Sequence, residues 1–148
     1  MFLGCCLNCT SDKTGNLYVT GYFYRDTITF GSSIINLNKP GFNRGVFIAK
    51  YDVNGNVIWA KSASGNYSEC EGHAISAGEN NDVFITGTFS GPSIQFDSFQ
   101  LSNADSLKDD IFVVKYDSIG NVRWAKKQGG SYNDNGNSVS ADAKGNVF

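Results

Sequence analysis

One stretch of this chain is written twice. VFIAKYDVNGNVIWAKS from Val46 lies over IFVVKYDSIGNVRWAKK from Ile111 with ten of seventeen positions identical, at an offset of 65. Upstream, GNLYVTGYF from Gly15 matches NDVFITGTF from Asn81 at an offset of 66. Downstream, SGNYSECEGHAISAG from Ser64 matches GGSYNDNGNSVSAD from Gly129 with one residue slipped. The last residues, DAKGNVF, reproduce DKTGNLY from Asp12 at an offset of 130, twice the period. Self-similarity at a fixed spacing of this size marks a stacked-repeat architecture. The chain therefore reads as a tandem array of a unit of about 65 residues in just over two copies, with approximate bounds 1–69, 70–133 and 134–148.

Each unit reads as two hairpins in series. In the second copy the strand candidates are Ala74–Ala77, Val83–Phe89, Ile111–Tyr116 and Val122–Lys126. Turn chemistry separates them: in DKTG, DVNG, DSIG and DAKG an Asp opens the turn and a Gly stands three residues later. The Asp accepts from the turn's own backbone, and the Gly supplies the positive-φ residue of a type I turn plus bulge. GENND places Asn81 where the Gly would stand, and Asn is the next-best residue for that conformation. With 17 Gly, only 2 Pro and 14% aromatics, composition agrees with short strands and tight turns.

VFIAKY, IFVVKY and VFITGTF are apolar at consecutive positions, which marks strands covered on both faces. An antiparallel four-stranded sheet covered on both faces by replicas of itself is a β-propeller blade. The expected fold is thus all-β, a propeller-like tandem of just over two four-stranded blades. Trp59 and Trp124 are expected to fill the gap between blades, and truncating Trp59 to Ala is expected to cost roughly 3–5 kcal/mol. Between second and third strands an insert containing SIQFDSFQL in one copy and TITFGSSIINLN in the other predicts a short outer hairpin. These inserts and the blade-to-blade loops are the expected place for a binding surface.

The motif D-x-x-G-N-[LV]-[YF]-[VI]-T-G-x-F, followed by F-[IV]-x-K-Y-D-x-x-G-N-V-x-W-A-K, resembles the SBBP-type β-propeller repeat over nearly the whole chain. That family occurs in secreted and surface proteins of bacteria, notably of the Bacteroidetes type. The resemblance implies a propeller fold and an extracellular or cell-surface setting, and it brings no shared catalytic set. Complete propellers have roughly four to eight blades, so the chain is expected to be part of a longer array or to assemble with copies of itself, its outward apolar faces unpartnered.

Twelve basic against 14 acidic side chains, without a Lys/Arg cluster, make nucleic acid an unexpected partner. No apolar run is long enough to span a bilayer. FLGC, ending at Cys5, resembles a lipoprotein cleavage box but has neither charged nor apolar region ahead of it, so no signal is assigned. Cys6 and Cys9 form a C-x-x-C, a spacing that suggests zinc or redox chemistry, but a structural zinc site needs a second ligand pair, and only Cys70 and His73 remain. Cys9 is expected to fill a small apolar strand position.

His73, the only histidine, has Asn137 as its counterpart and no nucleophile placed for general-base work. YNDNGN around Asp134 partly matches a calcium loop but lacks the terminal Glu, and its sibling YSECEG carries Glu69 and Glu71. The expected role of Asp134 is to bond its own loop. KQGGSYND lacks the Lys-Ser/Thr of a phosphate loop. No catalytic, cofactor-binding or metal residues are therefore assigned. The expected function is a non-enzymatic structural or interaction module contacting a protein, a glycan or other blades. The alternative is part of a propeller enzyme, a quinone-dependent oxidoreductase or a hydrolase, with its reacting groups on other blades. The first strands LNCT, AISA and SVSA are small and neutral, which favours the binding module.

Overall fold

The computed structural model describes residues 4–24, 27–37, 44–142 and 144–148. Three of the expectations above fall partly beyond these: FLGC begins before the first described residue, the first insert runs through 38–43, and the DAKG turn includes residue 143. The described residues form strands and no α-helix, with one 3₁₀ turn at Glu79–Asn81. The first sheet joins β1 (Gly4–Ser11), β2 (Leu17–Tyr24), β5 (Arg44–Tyr51) and β6 (Val57–Ala63), in that order. The second joins β7 (Cys70–Ala77), β8 (Val83–Phe89), β11 (Asp110–Tyr116) and β12 (Val122–Gln128). Each pairing is antiparallel, so each sheet is a four-stranded meander. Between the second and third strands of each sheet stands a separate hairpin, β3 (Thr27–Phe30) with β4 (Ser33–Asn36), and β9 (Ser93–Phe96) with β10 (Phe99–Ser102). This is the expected all-β partial propeller, with two blades and their outer hairpins.

The turns form as their residues dictate. Asp52 Oδ1 accepts the N–H groups of Asn54 and Asn56, both at 2.8 Å, and Gly55 takes φ +82°. Asp12, Asp117 and Asp142 repeat the arrangement, and Asn81 takes φ +57° in the variant turn. A further register shift stands beside the turn at Lys50/Tyr51 and again at Lys115/Tyr116, where Ile58 and Arg123 are the extra residues of the fourth strands. The Thr-Gly pair in VTGYF and ITGTF has a packing reason. Thr20 and Thr86 donate to the Phe47 and Phe112 carbonyls at 2.8 and 2.7 Å, satisfying buried hydroxyls. A Cβ on Gly21 or Gly87 would fall 1.9 or 1.8 Å from the Cys5 or Glu71 carbonyl oxygen, so the first strand approaches only because both are glycine.

The main core is the seam between blades. Tyr18, Val46 and Ile48 of the first blade pack with Ile75, Val83, Ile85, Phe112 and Tyr116 of the second. The second outer hairpin closes the seam's edge: Ile94 and Phe96 are fully buried, and the Gln95 N–H donates to the Ser64 carbonyl at 3.1 Å. A smaller core forms where Ile28 and Phe30 of the first hairpin cover Phe23, Phe47 and Ala49. β8 is buried at every position, as the unalternating sequence requires, whereas β11 alternates buried and half-buried residues.

Three expectations need correcting. β7 starts at Cys70, four residues before Ala74, because a bulge between Gly72 and Ala74 shifts the register without ending the strand. Cys9 lies in β1 as expected but is exposed, not packed. Trp59 is half-buried, since its indole lies at the mouth of the seam and packs against the core from outside.

Candidate functional site

All four Asp-opened turns and the GENND turn lie at one end of the strands. The opposite end carries both outer hairpins and the blade-to-blade crossovers, and every sequence candidate except Cys9 belongs to that half. There the fold gathers residues far apart in sequence. Arg44, at the start of β5, pairs with Glu71 through Nη1 and with Glu69 through Nη2. Its guanidinium lies over the rings of Tyr22 and Tyr24, 5.2 and 5.5 Å from their centroids. Burial would lower the pKa of Arg44, but the hydrogen bond and charge of Glu69 outweigh it and raise it.

His73 joins this group from the β7 bulge. Its Nε2 stands 3.0 Å from Glu71 Oε2, and its Nδ1 stands 3.2 Å from the Gly136 carbonyl. Both partners are acceptors, which anchors the ring between Glu71 and the chain beyond β12. A base acting on a nucleophile needs a hydroxyl or thiol at one of those nitrogens, and here each faces an acceptor. The cluster is therefore a ring–carboxylate–guanidinium clamp that ties β5, β7 and residue 136 together. Asp134 Oδ2 accepts the Gly130 N–H at 2.9 Å, so it bonds its own loop. Cys5 and Cys6 lie with Cys9 on β1, while Cys70 is fully buried in the seam.

The sequence reading did not single out the tyrosines of the crossovers. Tyr67 follows β6 and is 73% exposed; Tyr132 follows β12 and is 80% exposed. They are counterparts at the 65-residue offset, in NYS and SYN. Tyr67 also holds φ +51°, a conformation bulky side chains rarely adopt. Ser68 beside it is fully buried, and its hydroxyl donates to the Ser93 carbonyl at 2.9 Å, so the loop is pinned beneath the exposed ring. Leu107, in the second insert, is 85% exposed at the same end. A rigid loop displaying an aromatic ring is suited to contact, since Tyr adds area at low entropic cost. The available signal was positional: an aromatic at the same place in both crossovers, in segments rich in Gly, Asn and Ser.

No family model matches the chain. It is 32% identical over 130 residues to an uncharacterised WD repeat-containing protein of Acanthamoeba polyphaga mimivirus, an alignment covering 79% of this chain and 9% of that protein. It is 26% identical over 123 residues to the regulatory protein FlaEY of Caulobacter vibrioides, covering 82% of this chain and 13% of FlaEY. The chain thus spans about a tenth of the length of these curated relatives. Sequence, blade topology and likeness to a WD repeat-containing protein agree on a propeller-like repeat of antiparallel four-stranded units.

Proposed function

We propose that the chain is a non-enzymatic interaction module, two blades of a propeller-like array whose insert-bearing end contacts a partner protein. The observation that carries this reading is the matched pair Tyr67 and Tyr132, exposed at equivalent places in the two crossover loops, the first of them pinned from beneath by Ser68. The mimivirus relative is named for WD repeats, which build β-propeller blades. The repeat motif further supports an SBBP-type array displayed outside the cytoplasm, with units bounded near 69 and 133.

Affinity capture with the intact chain, run beside a Tyr67→Ser/Tyr132→Ser double variant, tests the site. A purified partner that binds the parent and loses at least tenfold in affinity for the double variant, with the melt unchanged, supports the reading. Binding to arrayed glycans in place of protein, or turnover of a substrate by the chain, overturns it. Protease shaving of intact source cells tests the setting: a protected chain is not at the surface.

A further inference from the structure

The seam between the blades is built as a plug and a seat. On the face of the first blade that meets the second, Lys50 Nζ lies 5.0 Å over the Tyr18 ring and Trp59 meets the same ring edge-on at 6.0 Å. This plug enters a seat on the second blade. The indole stacks on Tyr116, and its Nε1 donates to the Ser118 carbonyl at 3.2 Å, which also accepts Lys50 Nζ at 3.1 Å. Gly120 closes the seat, because a Cβ there would fall 2.9 Å from the indole.

Both parts are duplicated by the repeat. Lys115 Nζ lies 5.3 Å over the Phe84 ring, with Trp124 6.0 Å from it, which reproduces the plug on the second blade. On the first blade Tyr51, Val53 and Gly55 are the counterparts of Tyr116, Ser118 and Gly120. With Leu17, Ile28 and Phe30 they line an apolar groove of about 650 Å³. A Cβ on Gly55 would meet nothing within 4 Å among the described residues, where the same atom on Gly120 would strike an indole.

We propose that this groove is a second tryptophan seat, which takes the indole of a fourth-strand tryptophan on a further four-stranded unit of the same pattern. The filled seat supplies the template: ring stacking on Tyr51, an N–H donated to the Val53 carbonyl and an aromatic edge over Gly55. The plug of a second copy is obstructed. A Cβ on Gly136 would meet Thr86 and Ile111 just as one on Gly72 would meet Thr20 and Val46. Residue 136 thus holds on the second blade's outer face the place that β7 holds on the first. A copy docking there would bring its own β1 into that space.

Titration of the full chain with N-acetyltryptophanamide, followed through backbone amide NMR, tests the seat. Saturable shifts are expected at Leu17, Val53 and Gly55 at millimolar ligand, the range of a fragment-sized ring, with Gly120 unmoved because its seat is filled. Val53 is 68% exposed, so Val53→Glu leaves the fold intact and removes the shifts. Methylating the indole nitrogen weakens binding about threefold to tenfold by deleting one hydrogen bond. Absence of saturable shifts, equal shifts at Gly120, or shifts that survive Val53→Glu overturn the proposal. Sedimentation of the chain alone should show no association; association abolished by Val53→Glu would make the occupant a second copy and overturn its assignment.

Discussion

Trp59 lies against Tyr116 with ring centroids 6.2 Å apart and planes inclined by 23°. The two belong to different blades, so one aromatic pair joins β6 to β11. It explains why K-Y-D-x-x-G-N-V-x-W recurs as a block. Along β5 and its partner, Lys50 and Trp59 face the second blade while Tyr51 faces the opposite side, toward the groove. One hairpin therefore carries a plug on one face and the floor of a seat on the other. The spacing between Tyr and Trp cannot drift without spoiling both.

Trp59→Ala is expected to destabilise by about 2–4 kcal/mol, somewhat below the loss for a fully buried aromatic because the ring is half-buried. Trp124→Ala, whose ring meets Phe84 of its own blade but no seat, should lose under about 1 kcal/mol. Urea denaturation of both variants checks the difference. Equal losses would mean that the seam does not depend on the indole in its seat.

The glycine beneath the indole offers a controlled comparison. Gly55 and Gly120 hold nearly the same left-handed backbone, φ +82° and +87°. Alanine at either position costs about 1–2 kcal/mol for that conformation. At Gly120 its methyl also strikes the Trp59 ring, adding about 1–3 kcal/mol of overpacking. Gly120→Ala should therefore melt first, and matched denaturation midpoints would contradict the packing seen there.

Much of the fold was legible because repetition and turn chemistry are local properties. Asp and Gly announced every D-x-x-G turn, but the Asn that follows went unread. Asn56 donates its backbone N–H to Asp52 Oδ1 and its side-chain amide to Oδ2, and Asn16, Asn121 and Asn146 do the same for their own turns. Its presence at the same place in all four was the signal. The bulge at Gly72/Ala74 was not legible, since one inserted residue leaves the apolar pattern of a short strand unchanged. Cys9 looked like core because small apolar residues fill inner strands, yet its side of β1 is exposed. The Arg44 clamp draws on residues 25 and 27 positions away and needed the fold to assemble. Tyr67 and Tyr132 were visible as a repeated aromatic, but their exposure is a property of the folded crossovers, set at Tyr67 by the buried Ser68 beneath it.

Asp12 gives the fold an acid limit. Its carboxylate is buried, which alone would raise its pKa, but hydrogen bonds from Asn16 and Thr14 outweigh that and hold it at about 2, below 3.8. The folded state therefore binds this proton less readily than the unfolded chain. Its stabilisation is complete above pH 3.8 and is lost as pH falls from there to about 2, a span worth about 2 kcal/mol. Asp12→Asn should be less stable than the parent at neutral pH and should flatten this part of the profile. Thermal melts between pH 2 and 6 check it; parallel profiles would remove Asp12 from the acid transition.

The four cysteines divide into a reactive strand and a reporter of the seam. Cys5, Cys6 and Cys9 are exposed on β1, whereas Cys70 is fully buried where β7 meets the first blade. Thiolates react and thiols do not, so access and pKa act together. Burial first, then the charge of Cys9, raises the pKa of Cys6, and burial raises that of Cys70 far more. Maleimide labelling of the native chain, mapped by peptide mass, should therefore modify Cys5, Cys6 and Cys9 on β1 readily and Cys70 only through opening of the seam. Because Trp59 and Cys70 pack on one core, Trp59→Ala should quicken Cys70 labelling in proportion to the stability it removes, leaving Cys5 and Cys9 unchanged. Cys70 labelling at the rate of Cys9 in the parent chain would mean that the blades part freely, and the seam would then not be the core of the molecule.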